Sequence, residues 1–411
     1  MQKTIKILKK PITSTFLAIL CGVFVAGIVL AFSGYNPIEA LDTLLKGIFS
    51  RPKYIFKVIE KSTPIILTGI SVAFAFKTGL FNMGAEGQYI IGSVAAMMVG
   101  VKLNLPPVLQ ILIIILVGML AGAVYGGLVG ILKAKFGIHE VITSIMFNWI
   151  AFYLCNFIVD SQMFHKPATM RSFSINESGF TTLFYKWKTS KEGIEYLKQN
   201  RWLSDILLKT DVNVGIIIAI IVAIAVWFLL YKTSVGYGIR AVGNNAKAAE
   251  FAGIGVKKNI RAAMIISGAI CGLAAALTIT GVAPHAIYKL SMFENIGFNG
   301  LFVALIARTS PIGCILSGLF FGALNYGGNA LQMDLGIPSE IIAITIGSIL
   351  FFVALAGVAP LIADRLAKRG KKNAKEYSFY NKHNADVFGT ADFWRNGRSY
   401  FGKFWSSQCG N

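Results

Sequence analysis

The chain has 411 residues, 55% of them hydrophobic and 14% charged, with a formal net charge of +20 and a mean hydropathy of +0.64. Soluble domains carry about 25% charged residues, so this composition excludes a soluble enzyme. The positive charge does not point to nucleic acid, because Lys and Arg sit between apolar blocks and not on one face.

The apolar residues come in blocks of about 20, the helix length that crosses a ~30 Å hydrocarbon core at ~1.5 Å per residue. In chain order the predicted spans are 12–32, 64–76 (starting a turn or two earlier), 81–101, 108–132, 141–159, 214–231, 262–282, 297–307, 312–331 and 341–361. The fold class is therefore all-α, a polytopic membrane helix bundle of about ten transmembrane helices. The first block follows MQKTIKILKK but is too long for the apolar core of a signal peptide, and it reads as a retained helix. The second and eighth blocks are short or polar and read as broken or re-entrant helices.

Loop charges give a direction. Segment 232–261 holds Lys232, Arg240, Lys247, Lys257, Lys258 and Arg261 against the single acid Glu250. The short segments 102–107, 283–296 and 332–340 hold only Lys102 and Lys289 as basic residues. The positive-inside rule then places the N- and C-termini in the cytoplasm. Residues 1–370 form the transmembrane domain, 232–261 a cytoplasmic loop, 160–213 an extracellular loop and 371–411 a cytoplasmic tail. Within the outer segment 33–63, Tyr54, Ile55, Val58 and Ile59 have the spacing of a small amphipathic cap.

Four stretches carry candidate chemistry. Gly79–Gly92 reads GLFNMGAEGQYIIG and sets Asn82, Glu86 and Gln88 at the edge of an apolar block. An unpaired carboxylate there costs ~2.5–3.5 kcal/mol or more, so Glu86 is either functional or paired with Lys77 or helix ends. Gly137–Ala151 brings His139 and Glu140 to a span entrance, with Asn148 about two turns deeper. Glu294–Pro311 places Asn295, Gly297, Asn299 and Gly300 where a helix enters from the outer side, and Asn325 and Asn329 follow in the ninth span. Uncharged amides suit a neutral polyhydroxylated or heteroaromatic solute better than an ion. The fourth stretch, IRAVGNNAKAAEFAGI at 239–254, holds an Ala-rich helix that Asn244 or Asn245 can cap. It either docks on a cytoplasmic partner or merely covers the end of the bundle.

What the sequence lacks narrows the choice. There is no GxxxxGK[ST] phosphate loop, so ATP is not bound by that route. Cysteines at 21, 155, 271, 314 and 409 form no CxxC or Cys/His cluster and predict no metal site. Histidines at 139, 165, 285 and 383 lie outside or at the edge of the spans, which disfavours a membrane enzyme. An ion-coupled secondary transporter, with Glu86 as the protonation site, is the alternative from another class.

FNMGAEGQ, GIHEVITSIMFNWIA, YGIRAVGNNAKAAEFAGI, ISGAICGLAAAL and GFNGLFVALIARTSPIG resemble, in order and spacing, the ABC-importer permeases of the nucleoside and simple-sugar type. These are related to the ribose and branched-chain amino acid permeases. The resemblance covers roughly residues 10–370 and is nearer the nucleoside branch, because the Asp-Leu-Ser-Val-Gly type stretch of the ribose branch is missing. It implies a multi-pass protein of the bacterial cytoplasmic membrane, set among lipid. Its partners would be a second permease subunit, a two-domain ABC ATPase and an extracellular substrate-binding lipoprotein, with no nucleic acid. No cofactor would sit on this chain, since ATP–Mg belongs to the ATPase. By this resemblance Asn82, Glu86, Gln88, Asn148 and Asn299 line the substrate pathway, and Arg240, Gly243, Asn244, Ala248, Ala249, Glu250 and Gly253 belong to the element that couples to the ATPase. The long loop 160–213 and the tail depart from a minimal member of the family.

Overall fold

A computed structural model describes residues 11–355, with side chains from Phe16 onward. The predicted tail after 371, the N-terminal residues before Pro11 and the end of the tenth predicted span lie outside the described residues. The chain divides into two units, residues 1–23 with 351–411 and residues 24–350; the packing below is that of the second.

Among the described residues the regular structure is helical, with isolated β-bridges only. In order the helices are α1 (Pro11–Phe32), α2 (Pro37–Phe49), α3 (Pro52–Phe76), α4 (Ala85–Lys102), α5 (Pro107–Phe136) and α6 (Glu140–Val159). The short helices α7 (Tyr185–Lys188), α8 (Lys191–Gln199) and α9 (Arg201–Leu207) follow, then α10 (Gly215–Lys232), α11 (Ser234–Asn244) and α12 (Ala246–Phe251). The last four are α13 (Val256–Gly281), α14 (Ile296–Ile306), α15 (Gly313–Leu335) and α16 (Ser339–Ala354). Five of them, α3, α5, α6, α10 and α13, are long and apolar enough to cross a membrane. A sixth span is possible if α1 and α2, which meet at 119°, are counted as one. Helices α4 and α15 have the length but carry Glu86, Gln88, Asn325, Asn329 and Gln332, which lower their apolarity.

The second predicted span is longer than its sequence pattern. Residues 64–76 are the last half of α3, and the predicted cap around Tyr54 and Ile59 is the first part of that same helix. Pro64 sits in its interior, where it withholds one backbone donor. The preceding hydroxyls fold back onto the same turn, Ser62 to the Val58 carbonyl at 2.6 Å and Thr63 to the Ile59 carbonyl at 2.8 Å.

Helix α5 shows how the bundle closes. Leu112, Leu116, Leu120, Val124 and Leu128 are exposed along one stripe. Gly118, Gly122, Gly126 and Gly130 occupy another and press against α13. A Cβ at Gly118 would lie 2.9 Å from that of Ala276, and one at Gly130 would lie 2.9 Å from that of Met264. This face is small and the opposite one apolar, the pattern expected where lipid supplies no hydrophobic drive and close backbone approach does the work.

Helix α3 runs between two ordered ends. At one, Lys57 bonds Glu60 at 2.8 Å and lies 3.8 Å from Asp211, which Lys188 also approaches at 3.8 Å. Burial pulls the Lys188 ammonium below the ordinary lysine range, and the Asp211 charge works against that shift. The 160–213 segment is further stitched to the chain after α13, with Ser172 N–H donating to the Ile287 carbonyl at 2.8 Å and Ile175 N–H to that of His285 at 2.9 Å. At the other end of α3, the backbone of Lys77 and Thr78 packs on Gly243 of α11.

Replacing Gly122 with Leu forces a side chain into the α5–α13 contact and should cost about 1–3 kcal/mol or more. Gly347, which has open space around it, is the control. In detergent-solubilised protein, Gly122→Leu is expected to lower the apparent Tm while Gly347→Leu leaves it unchanged; equal behaviour of the two would contradict this packing.

Candidate functional site

The turn between α3 and α4 does not stay at the bundle end. It folds back so that Asn82 reaches Ser267 of α13, its amide donating to the hydroxyl at 2.8 Å. Ser267 and Ser71 exchange hydrogen bonds, at 2.8 Å between hydroxyls and 3.0 Å to the Ser71 carbonyl. Asn82 also pairs with Gln88 at 3.1 and 3.2 Å and accepts from the Gly84 N–H at 3.1 Å. Asn148 of α6 closes the knot from the side, accepting from Gly87 N–H at 2.9 Å and donating to the Met83 carbonyl at 2.9 Å. All three amides are buried.

Glu86 follows one residue into α4 and is fully buried. Its carboxylate accepts the N–H of Asn295 at 2.9 Å, of Gly297 at 2.7 Å and of Phe298 at 3.4 Å, at the start of α14. Thr68 of α3 adds a bond to the Ile296 carbonyl at 3.0 Å. The first N–H groups of a helix have no partner within it and carry partial positive charge, which a carboxylate satisfies directly. Helix α14 has only 11 residues, about 16 Å at ~1.5 Å per residue. It starts and stops within the bundle and needs such a partner. Gly297 leaves no room for a Cβ against the Ala85–Glu86 backbone, and Gly300 does the same against Thr68.

Beside this clamp lies a cavity of ≈70 Å³ between α4, α6, α13 and the segment before α14, lined among others by Tyr89, Ser93, Cys155, Thr278, Tyr288 and Glu294. In this conformation it is well below the ~300–1,000 Å³ of typical small-molecule pockets. Phe293 stands next to Glu294 and packs edge-on to Trp149, with centroids 4.8 Å apart, and to Phe298 at 5.9 Å.

At the far end of α3, Thr233 caps α11 and Asn245 caps α12, its Oδ1 accepting from Ala248 N–H at 3.1 Å. Gly253 ends α12 at φ +77°. Ala249 is buried, whereas Ala248, Glu250 and Ala252 are exposed and Phe251 is 95% exposed. Arg240 donates from Nε to the Leu230 carbonyl at 3.0 Å and sits 5.2 Å from the Tyr231 ring centroid.

Residues 54–358 match the family described as branched-chain amino acid transport system / permease component. The chain belongs to that permease family. Among relatives, it is 34% identical to the guanosine ABC transporter permease NupP of Bacillus subtilis over 355 residues, 86% of this chain and 96% of that one. It is 32% identical to the nucleoside ABC transporter permease NupB of Lactococcus lactis over 340 residues, 82% and 89% of the two chains. A second guanosine permease of Bacillus subtilis, NupQ, is 28% identical over 286 residues, 68% of this chain and 83% of its own. The chain is thus a multi-pass transport permease and not an enzyme.

In this permease the residues predicted for the pathway separate into groups. Asn82, Gln88 and Asn148 are brought together, but into a buried knot whose groups bond one another. Glu86 meets helix ends, one of the two pairings its sequence allowed, and Lys77 is not its partner. Asn299 is half-buried on α14, and none of these five lines the ≈70 Å³ cavity. Among the predicted coupling residues, Ala248, Asn244 and Glu250 are exposed, Ala249 faces inward, and Gly243 and Arg240 hold α11 in place. Phe251, part of the small apolar surface that the sequence offers with Ala248, Ala249 and Ala252, points outward, and one feature has no sequence reading: the Glu294 carboxylate at the cavity, an acid flanked by Phe293. Among the described residues no group of three or more His, Cys, Asp or Glu is placed to hold a metal.

Replacing Glu86 with Ala leaves backbone donors at the start of α14 without an acceptor, at about 1–3 kcal/mol for each. The variant should show a clearly lower apparent Tm in detergent, and an unchanged Tm would contradict the clamp.

Proposed function

We propose that this chain is one of two permease subunits of an ATP-driven importer that carries nucleosides inward across the bacterial cytoplasmic membrane. The second permease is a related chain, ATP–Mg is bound and hydrolysed on a separate two-domain ATPase, and an extracellular lipoprotein delivers the solute. About ten segments cross or enter the bilayer with both termini cytoplasmic, α11 and α12 facing the ATPase and the 160–213 segment facing outward. The observation that carries this reading is the pair of relatives named for guanosine and nucleoside transport, each matched over more than four fifths of this chain. The existence of two guanosine permeases in one Bacillus subtilis strain supports a paired assembly.

The geometry supports the coupling role of α12. A six-residue helix with a capping Asn245, a left-handed Gly253 and an outward Phe251 offers a rigid, apolar tip at a bundle end. Such a tip suits a cleft on a partner protein. Ala249 is turned inward, so a bulky residue there tests folding; Ala248 and Phe251 are the positions that test docking.

Proteoliposomes holding the complete assembly should accumulate labelled nucleoside only with ATP inside. Ala248→Trp and Phe251→Ala should leave the permease in the membrane but abolish most ATP-driven uptake. Full uptake in both variants would contradict the coupling assignment. Uptake by this chain alone under an ion gradient would instead favour a secondary transporter, and accumulation of a simple sugar with no nucleoside uptake would reassign the cargo.

A further inference from the structure

Glu294 carries a carboxylate that the fold does not use. It immediately precedes Asn295, yet the N–H groups at the start of α14 are taken by Glu86 from the other side. Glu294 is therefore not the cap of α14. Among the described residues no hydrogen bond or ion pair engages its oxygens, and Lys61 supplies the opposite charge that acts on it. The residue is exposed and lines the ≈70 Å³ cavity. Two residues on, the Ile296 carbonyl is bonded to Thr68 of α3. A carboxylate with no protein partner is costly among apolar neighbours unless it faces water or a ligand.

The surroundings define what that carboxylate can hold. Hydroxyls of Tyr89, Ser93, Thr278 and Tyr288 share the cavity wall, and each both donates and accepts. Tyr89 and Tyr288 also bring aromatic surface to the same wall as the acid. An ionised carboxylate accepts only, repels anions, and takes two adjacent donors in bidentate fashion. A neutral solute with an aromatic face and two neighbouring donors fits this set.

We propose that Glu294 is a substrate-contacting, specificity-determining residue that reads a pair of adjacent hydrogen-bond donors on the transported solute. The proposal rests on the nucleoside reading above. In a nucleoside two sources present such a pair: the N1–H and 2-amino group of a guanine base, or the 2′,3′-diol of the ribose. A cavity of the present size does not hold a nucleoside, so the contact forms when the pathway widens around the residues that line it.

The test uses the complete assembly in proteoliposomes, comparing guanosine with inosine, which lacks the 2-amino group, and with 2′,3′-dideoxyguanosine, which lacks the diol. Hydrogen bonds to a charged group contribute about 1.5–3 kcal/mol, or roughly ten- to a hundredfold. Glu294→Gln is expected to raise KM for guanosine about tenfold or more while the analogue without the donors being read is little changed; the analogue that escapes identifies base edge or ribose. Glu294→Asp, which keeps the charge, should recover part of the loss. A second measurement leaves Glu294 in place: Ser93→Cys in the same cavity should react with a methanethiosulfonate reagent, and guanosine should slow the reaction more than the analogue does. If wild-type assembly imports nucleosides but Glu294→Gln keeps the same KM and the same preferences, or if guanosine and both analogues protect Ser93→Cys equally, the proposal is overturned and the nucleoside reading stands. If wild-type assembly imports no nucleoside, the nucleoside reading itself falls.

Discussion

Backbone groups inside a bilayer have no water to turn to, and an unsatisfied one costs several kcal/mol. In this permease that constraint converges on Glu86, whose carboxylate receives the leading N–H groups of an 11-residue helix that begins and ends within the bundle. Three elements are tied by that contact. Helix α4 supplies the acid, α14 the donors, and α3 the threonine that holds the neighbouring carbonyl. The acid is in turn fixed because the turn before α4 is pinned by Asn82, Gln88 and Asn148. A residue that hydropathy marks as an expensive anomaly thus allows a short helix to stop mid-bundle, and the small cavity lies beside it.

The same arrangement joins elements from opposite ends of α3. Helix α3 meets the ion network of Glu60, Lys57 and Asp211 at one end and the α11 backbone at Gly243 at the other. Midway it touches α14 through Thr68 and Gly69. One buried helix thus packs against both the α11 backbone and the α14 clamp. Close glycine packing between α5 and α13 gives that helix a stiff neighbour, since packed interfaces tend to switch between arrangements and not to deform smoothly.

Much of this was legible in the sequence, and the exceptions have physical causes. Apolar blocks marked the bundle because lipid-facing helices such as α5 and α10 must be continuous. The α12 cap was readable because Asn followed by an Ala-rich run has a local mechanism that needs no tertiary context. The start of α3 lies at Pro52, earlier than the turn or two before Pro64 that the sequence indicates, because Pro64 reads as a boundary whereas a helix buried along most of its length tolerates one withheld donor. Glu86 was recognised as unusual, but periodicity cannot say which distant backbone it meets: its partners lie about two hundred residues away in the chain. Polar residues were read as pathway because polarity in a membrane helix signals either a solute or a neighbour, and for Asn82, Gln88 and Asn148 the neighbour is what the structure provides. The regular four-residue glycine spacing of α5 was present in the sequence and points, by itself, to a close helix contact.

The central claim is that Glu86 satisfies the start of α14. Hydrogen exchange of the permease in lipid nanodiscs, read on peptides spanning 293–302, tests it most directly. Strong protection in the wild type, lost in Glu86→Ala while peptides from the middle of α13 stay protected, is the result expected. Rapid exchange of the Gly297 and Phe298 amides in the wild type, or protection that survives the substitution, would contradict it.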